Sequence, residues 1–182
     1  VLNDLGCVYN NLGESQKALN LCTQALESGR AFGNQREEAR ALNNLGEIYY
    51  ALGKLQQSLD FYKQALSLWR DSGNRQGLAL TLLNFGYTYS DLGQMGEALD
   101  SYNQALALWQ RATDQRGQAI TLSAVGRLYS RMGETQKALD FFERAMQLSR
   151  IIGDPIEEAR VLNGMAYIYN GLGQKQRALE FY

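Results

Sequence analysis

The sequence predicts an all-α solenoid built from antiparallel helix pairs. Three observations carry that expectation. The phrase at 41–53 returns at 1–13, 81–93, 121–133 and 161–173, at a constant spacing of 40 residues. A fixed period in this range marks stacked supersecondary units that bury their apolar faces against one another. Within each period, apolar or small residues step by three and four, the interval that lines one side of a helix. They are Ala39, Leu42, Leu45, Gly46, Tyr49 and Leu52, then Leu55, Leu59, Tyr62, Ala65, Leu66 and Trp69. The chain also carries a single proline, so long helices run without interruption.

The pattern places helices at about 1–12, 14–32, 35–52, 54–72, 75–92, 94–112, 115–132, 134–152 and 155–172, with a stub from 174. The first helix of each pair ends at Gly13, Gly53, Gly93, Gly133 or Gly173. A residue just past a helix end is commonly left-handed, which glycine adopts without steric cost. Between pairs stand Asn34, Asn74, Asp114 and Asp154, whose side chains accept from the first free amides of the next helix. Asn34 with Glu37, and Asp154 with Glu157, resemble a capping box. Pro155 falls at a first helical position, where its missing N–H costs least.

Gly46, Gly86 and Gly126 sit inside helices, where each costs about 1 kcal/mol relative to alanine. Close approach of the second helix offsets that cost. Small residues twelve positions later, Ala18, Ser58, Ala98, Ala138 and Ala178, are expected to face these glycines. Tyr9, Tyr49, Tyr89, Tyr129 and Tyr169 are expected to fill the space between adjacent pairs. Trp69 and Trp109 read as core between repeats, and Cys22 as a small core residue in a slot otherwise held by Tyr62, Tyr102, Phe142 and Tyr182.

Leu45, Gly46, Tyr49, Ser58, Tyr62 and Ala65 together resemble the signature of the tetratricopeptide repeat, and the match recurs along the whole chain. It departs from the common form of about 34 residues in its longer period and in lacking the proline that usually closes the second helix. This variant resembles the repeats of kinesin light chain, the Pins/LGN adaptors, bacterial peptide-sensing regulators and the arrays preceding CHAT peptidase domains. The resemblance implies a right-handed superhelical solenoid whose first helices line a concave groove for a partner segment. The expected organisation is one array over 1–182, with units at 1–32, 33–72, 73–112, 113–152 and 153–182, the outer two partial. With no polar outer face at either end, the chain reads as an excerpt of a longer protein.

Lysine plus arginine number 18 and aspartate plus glutamate 19, so the net charge is −1. Nucleic acid and anionic membranes require a basic excess and are not expected as partners. No apolar run reaches membrane-spanning length. Two cysteines are too few for a disulfide framework, and a reducing, cytoplasmic setting is expected. Histidine is absent, and there is no metal-ligand spacing or phosphate loop, so no cofactor, metal or catalytic activity is expected. Glu37 with Glu38, and Glu157 with Glu158, are paired carboxylates on first helical turns, where they favour the helix dipole.

Turning about 100° per residue away from the inner glycine selects the side chains that point off the packing stripe. The candidate peptide-binding residues are Asn3, Asn10, Arg40, Asn43, Asn44, Glu47, Tyr50, Leu80, Leu83, Asn84, Tyr87, Asp91, Arg127, Arg131, Arg160, Asn163, Tyr167 and Asn170. An amide both donates and accepts, so a row of asparagines suits an extended backbone; alternatively, some bond to neighbouring helices. Arginine forks suit carboxylates, which slightly favours an acidic partner; alternatively, Glu47 and Asp91 neutralise some of these arginines internally. Tyr50, Tyr87 and Tyr167 are of a type common among interaction anchors; alternatively, they pack against the next first helix. On this reading, replacing Asn44 and Asn84 by alanine weakens partner binding and leaves thermal stability nearly unchanged.

The expected function is a protein-interaction scaffold binding a peptide segment. The alternative is a regulatory or sensor array controlling a catalytic domain, such as a CHAT peptidase or an ATPase, outside this segment. Self-association through the ends, at Phe181 and Tyr182, is a further expectation.

Overall fold

The computed structural model describes residues 1–181; the expectations placed on Tyr182 lie outside them. The described residues form helices joined by tight turns, with no strand among them. Two compact units divide the chain, Val1–Gln94 and Met95–Tyr182. The first holds α1 (Leu2–Asn11), α2 (Ser15–Ala31), α3 (Gln35–Ala51), α4 (Leu55–Asp71) and α5 (Arg75–Asp91). The second holds α6 (Met95–Arg111), α7 (Gln115–Arg131), α8 (Thr135–Ile152), α9 (Pro155–Gly171) and α10 (Lys175–Leu179). Within each unit, consecutive helices pack as hairpins. The odd-numbered helices also touch one another, α1 on α3, α3 on α5 and α7 on α9.

The turns form as the residues dictate. Gly13, Gly53, Gly93, Gly133 and Gly173 are all left-handed, with Gly53 at φ +70°. The turns between pairs use the same conformation at Gly33, Gly73 and Gly153, and force it on Thr113 at φ +53°. Asn34 accepts from the Glu37 amide, Asn74 from Gly77, and Asp114 from Gly117. Asp154 accepts from both Ile156 and Glu157. The Glu37 and Glu157 carboxylates turn to Arg40 and Arg160.

The inner glycines make room for a residue other than the one expected. A Cβ at Gly46 would lie 2.4 Å from the Tyr62 ring, and one at Gly6 would lie 2.3 Å from Cys22 Sγ. At Gly126 it would meet Phe142 at 3.0 Å and the Ala138 carbonyl oxygen at 3.2 Å. The small residue twelve positions on allows the approach, and the side chain sixteen positions on occupies it. Tyr62, Phe142 and Cys22 are accordingly buried.

The helix-end tyrosines also differ from expectation. Tyr49 stacks on Phe61 of its own hairpin, with centroids 5.0 Å apart. Tyr129 pairs likewise with Phe141, and Tyr169 with Phe181. A cation covers each of these tyrosines: Lys54, Lys137 and Arg177. Trp69 and Trp109 are buried as expected, each over a glycine in the first turn of the next helix, Gly77 or Gly117, where a Cβ would fall within 2.5 Å of the indole.

Candidate functional site

In the first unit, the off-stripe face of α1, α3 and α5 is closed by its own hydrogen bonds. Asn3 is buried and donates to the Glu37 carboxylate at 3.0 Å. Arg40 spans two acids, with Nη1 on Glu37 at 3.1 Å and Nη2 on Asp4 at 2.7 Å. Asn44 donates to the Asn3 backbone oxygen at 3.3 Å. Asn43, also buried, donates to Glu47 at 2.9 Å and accepts from Thr81 at 3.0 Å. Asn84 reaches the same Glu47 oxygen at 2.7 Å. Tyr50 donates to Asp91. Leu83 is buried, Leu80 is exposed and Tyr87 half-buried. Asn10 is half-buried, with its Oδ1 enclosed and without a partner.

This arrangement corrects the picture of a row of asparagines open to a ligand. Asn3 and Asn43 are buried, and Asn44 and Asn84 tie one helix to the next. Asn84 supplies one of two donors to a carboxylate that burial pushes above the usual range. Replacing Asn44 and Asn84 by alanine therefore removes interhelical bonds and costs stability, contrary to the expectation from sequence. The neighbouring thiols are quiet: burial raises Cys7 and pushes Cys22 up to about 12, so neither is a thiolate at neutral pH.

The second unit is different. Between α7 and α9 lies a cleft of about 400 Å³. Arg127, Ser130 and Arg131 line it from α7, and Arg160, Asn163, Gly164 and Tyr167 from α9, with the Phe142 ring of α8 beneath. Steps of three and four residues bring the members of each helix to one side. Gly164 is required for the close approach, because a Cβ there would meet the Phe142 ring at 2.4 Å. Five of the residues singled out from sequence thus meet in one place: Arg127, Arg131, Arg160, Asn163 and Tyr167. Asn170 is exposed but does not line the cleft. Phe142 was missed, because its position in the repeat marks it as core. The space above its ring has no signature in the sequence.

The charged residues that line the cleft are arginines. Three guanidiniums line it, and no lining residue is acidic. Arg127 donates to Ser123 at 3.3 Å. Arg160 is held from below by Glu157, whose side chain is buried and whose second oxygen, Oε1, has no partner. Among the described residues, no cluster of three or more His, Cys, Asp and Glu residues is placed to hold a metal ion. No helix among them is long and apolar enough to cross a membrane.

The fold is shared with solved structures of low sequence identity. A protein of Podosopora anserina, described as a kinesin light chain with nearly identical TPR-like repeats, superposes with a TM-score of 0.77 at 18% identity, over 99% of this chain and 89% of that one. A Rap protein complexed with competence and sporulation factor gives 0.83 at 16% identity, over 100% and 60%. A STAND signal-transduction ATPase of Pyrococcus horikoshii with a tetratricopeptide repeat sensor gives 0.81 at 16% identity, over 98% and 28%. No curated protein matches the chain in sequence. The family model of the tetratricopeptide repeat matches residues 1–71 and 77–151. With the helix pairs, left-handed glycine turns and aromatic-over-glycine packing all in place, the chain belongs to the tetratricopeptide repeat family.

Proposed function

We propose that this chain is a protein-interaction scaffold that receives a peptide segment of a partner on the face lined by the first helices of its repeats. The observation that carries the reading is the α7–α9 cleft. It is concave, it gathers five side chains predicted from helical geometry, and it combines guanidinium and amide donors with an exposed tyrosine over an aromatic floor.

The fold likeness to a Rap protein complexed with competence and sporulation factor, and to a STAND ATPase with a repeat sensor, supports a second reading. There the array holds or releases a catalytic domain outside this segment. In both readings the array itself performs no chemistry and the cleft is the place of contact.

The test is to pan a phage-displayed random peptide library on the intact array. Enriched peptides are then measured against Asn163→Ala and Tyr167→Ala, with unfolding midpoints recorded alongside. Loss of binding at an unchanged midpoint supports the cleft. Peptides that bind both variants as tightly as the parent place the binding face elsewhere.

A further inference from the structure

We infer that the α7–α9 cleft takes an aspartate or glutamate side chain of the partner segment, set against Arg160 where the first unit supplies a carboxylate of its own. The inference rests on the peptide-scaffold reading and names the chemistry of the peptide.

The argument comes from comparing equivalent positions, three periods apart. Arg160 corresponds to Arg40, Glu157 to Glu37, and Ala124 to Asp4. Arg40 uses both ends of its fork: Nη1 is on Glu37, and Nη2 is on Asp4 of the preceding first helix at 2.7 Å. Arg160 keeps the first of these contacts, Nη1 on Glu157. The position that supplied the second acid is now Ala124, which has only a methyl group, and no other acid pairs with Arg160 among the described residues. A guanidinium presents five donors in a fixed plane, and one carboxylate leaves an edge of it unused. That edge belongs to a side chain lining the cleft.

The surroundings suit a carboxylate carried on a peptide. Arg127 and Arg131 line the same cleft, and the residues lining it include no acid. Asn163 occupies the repeat position of Asn43, but Asn43 is buried and spent on Glu47, whereas Asn163 is exposed on the cleft wall. Its amide is placed to bond the backbone beside the acidic residue. Tyr167 is 70% exposed, and the Phe142 ring forms the floor. Both provide apolar surface for the carbons flanking the acid, and a free inorganic anion would use neither. A space of about 400 Å³ also exceeds what a phosphate ion fills and accommodates a few side chains.

The experiment is fluorescence anisotropy on the intact array. The probes are a fluorescein-labelled Gly-Glu-Leu-Glu-Gly peptide and its counterpart with glutamine at both acidic positions. The acidic peptide is expected to bind at least about tenfold more tightly, the ratio that one charge-assisted bond supplies. Arg160→Gln is expected to remove that difference, and Arg75→Gln on α5 to leave it intact. Arg160→Glu assayed with a lysine version of the peptide is expected to restore binding, which separates loss of charge from loss of fold. Equal binding of the acidic and amide peptides overturns the inference while leaving the scaffold reading in place. Failure of both probes at millimolar concentration also overturns it, and the panned peptides then decide the scaffold reading independently. Displacement of the acidic peptide by an equal concentration of inorganic phosphate identifies a small-anion site and overturns the peptide occupant.

Discussion

Trp69 donates its indole N–H to Thr81 Oγ1 at 3.1 Å, and Thr81 in turn donates to Asn43 at 3.0 Å. One repeat later the same two residue types do not connect. Thr121 turns its hydroxyl to the Gly117 carbonyl at 2.7 Å, and the Trp109 N–H is buried without a partner. The two indoles fill equivalent space over equivalent glycines, so the hydrogen bond is the difference between them.

Trp69→Phe is therefore expected to destabilise more than Trp109→Phe. Both lose similar volume. The first also breaks a satisfied bond, while the second removes an orphaned donor. The gap is expected to be about 2 kcal/mol, as bonded and unsatisfied buried donors differ by roughly that amount. Urea unfolding of the two variants measures it. Equal losses would show that the Trp109 donor is satisfied in solution.

Gly46→Ala tests the close approach of Tyr62. Alanine gains about 1 kcal/mol of helix propensity. Its Cβ, however, would sit 2.4 Å from a fully buried ring, and overpacking of this kind costs about 1–3 kcal/mol. The net change is expected to be destabilising. Gly96→Ala is the control: it lies on α6 with nothing within 4 Å of an added Cβ, so it is expected to be neutral or stabilising. Thermal unfolding distinguishes them, and a Gly46→Ala protein more stable than the parent would refute the packing account.

The acidic residues of the first unit are expected to respond to pH in opposite directions. Burial raises Glu47 against the opposing donors Asn43 and Asn84, with Cys7 nearby. The folded state then holds its proton more tightly than the unfolded one. Stability falls as pH rises through the window above the ordinary carboxylate value of 4.5, up to the folded value. Glu37 is lowered, chiefly by the Asn3 amide, so its contribution is present above 4.5 and is lost as pH falls through its folded value. The unfolding midpoints of Glu47→Gln and Glu37→Gln, each compared with the parent from pH 3 to 7, check both signs. The parent is expected to gain on Glu47→Gln as the pH is lowered from 7 toward 4.5. Its advantage over Glu37→Gln is expected to shrink on acidification below 4.5. A flat difference for Glu47→Gln would show that its carboxyl is solvated.

Much of the candidate site was legible because side-chain direction on a helix follows from counting. By that count Arg127 and Arg131, one turn apart, fall on one side of their helix, and Arg160, Asn163 and Tyr167, at steps of three and four, fall on one side of theirs. What counting could not supply was the other wall. Phe142 comes from the intervening helix, and its ring borders the cleft only because Gly164 lets α9 rest against it. The roles given to Tyr49 and Tyr129 failed for the same reason. Each stacks on a ring of the second helix of its own hairpin, Phe61 or Phe141, a contact between helices that counting along one helix does not give.

The sequence by itself determined the period, the helix pairs, the glycine turns, the asparagine and aspartate caps, and the stripe that forms the core. These are local properties: a left-handed turn, a cap or an apolar stripe is settled within a few residues. The tertiary structure alone decided which polar residues remained open to a partner. Asn43 and Asn163 share one position in the repeat, yet one is buried on Glu47 and the other faces a cleft. Arg40 and Arg160 share another, yet one meets two acids and the other meets one. Glu47 lies four residues from Asn43 on the same helix, but Thr81, which also bonds Asn43, and Asp4, which takes the second end of Arg40, lie on neighbouring first helices 38 and 36 residues away in the chain. Whether such groups meet depends on the distance between helices, and that distance is set by how each ring packs over each glycine.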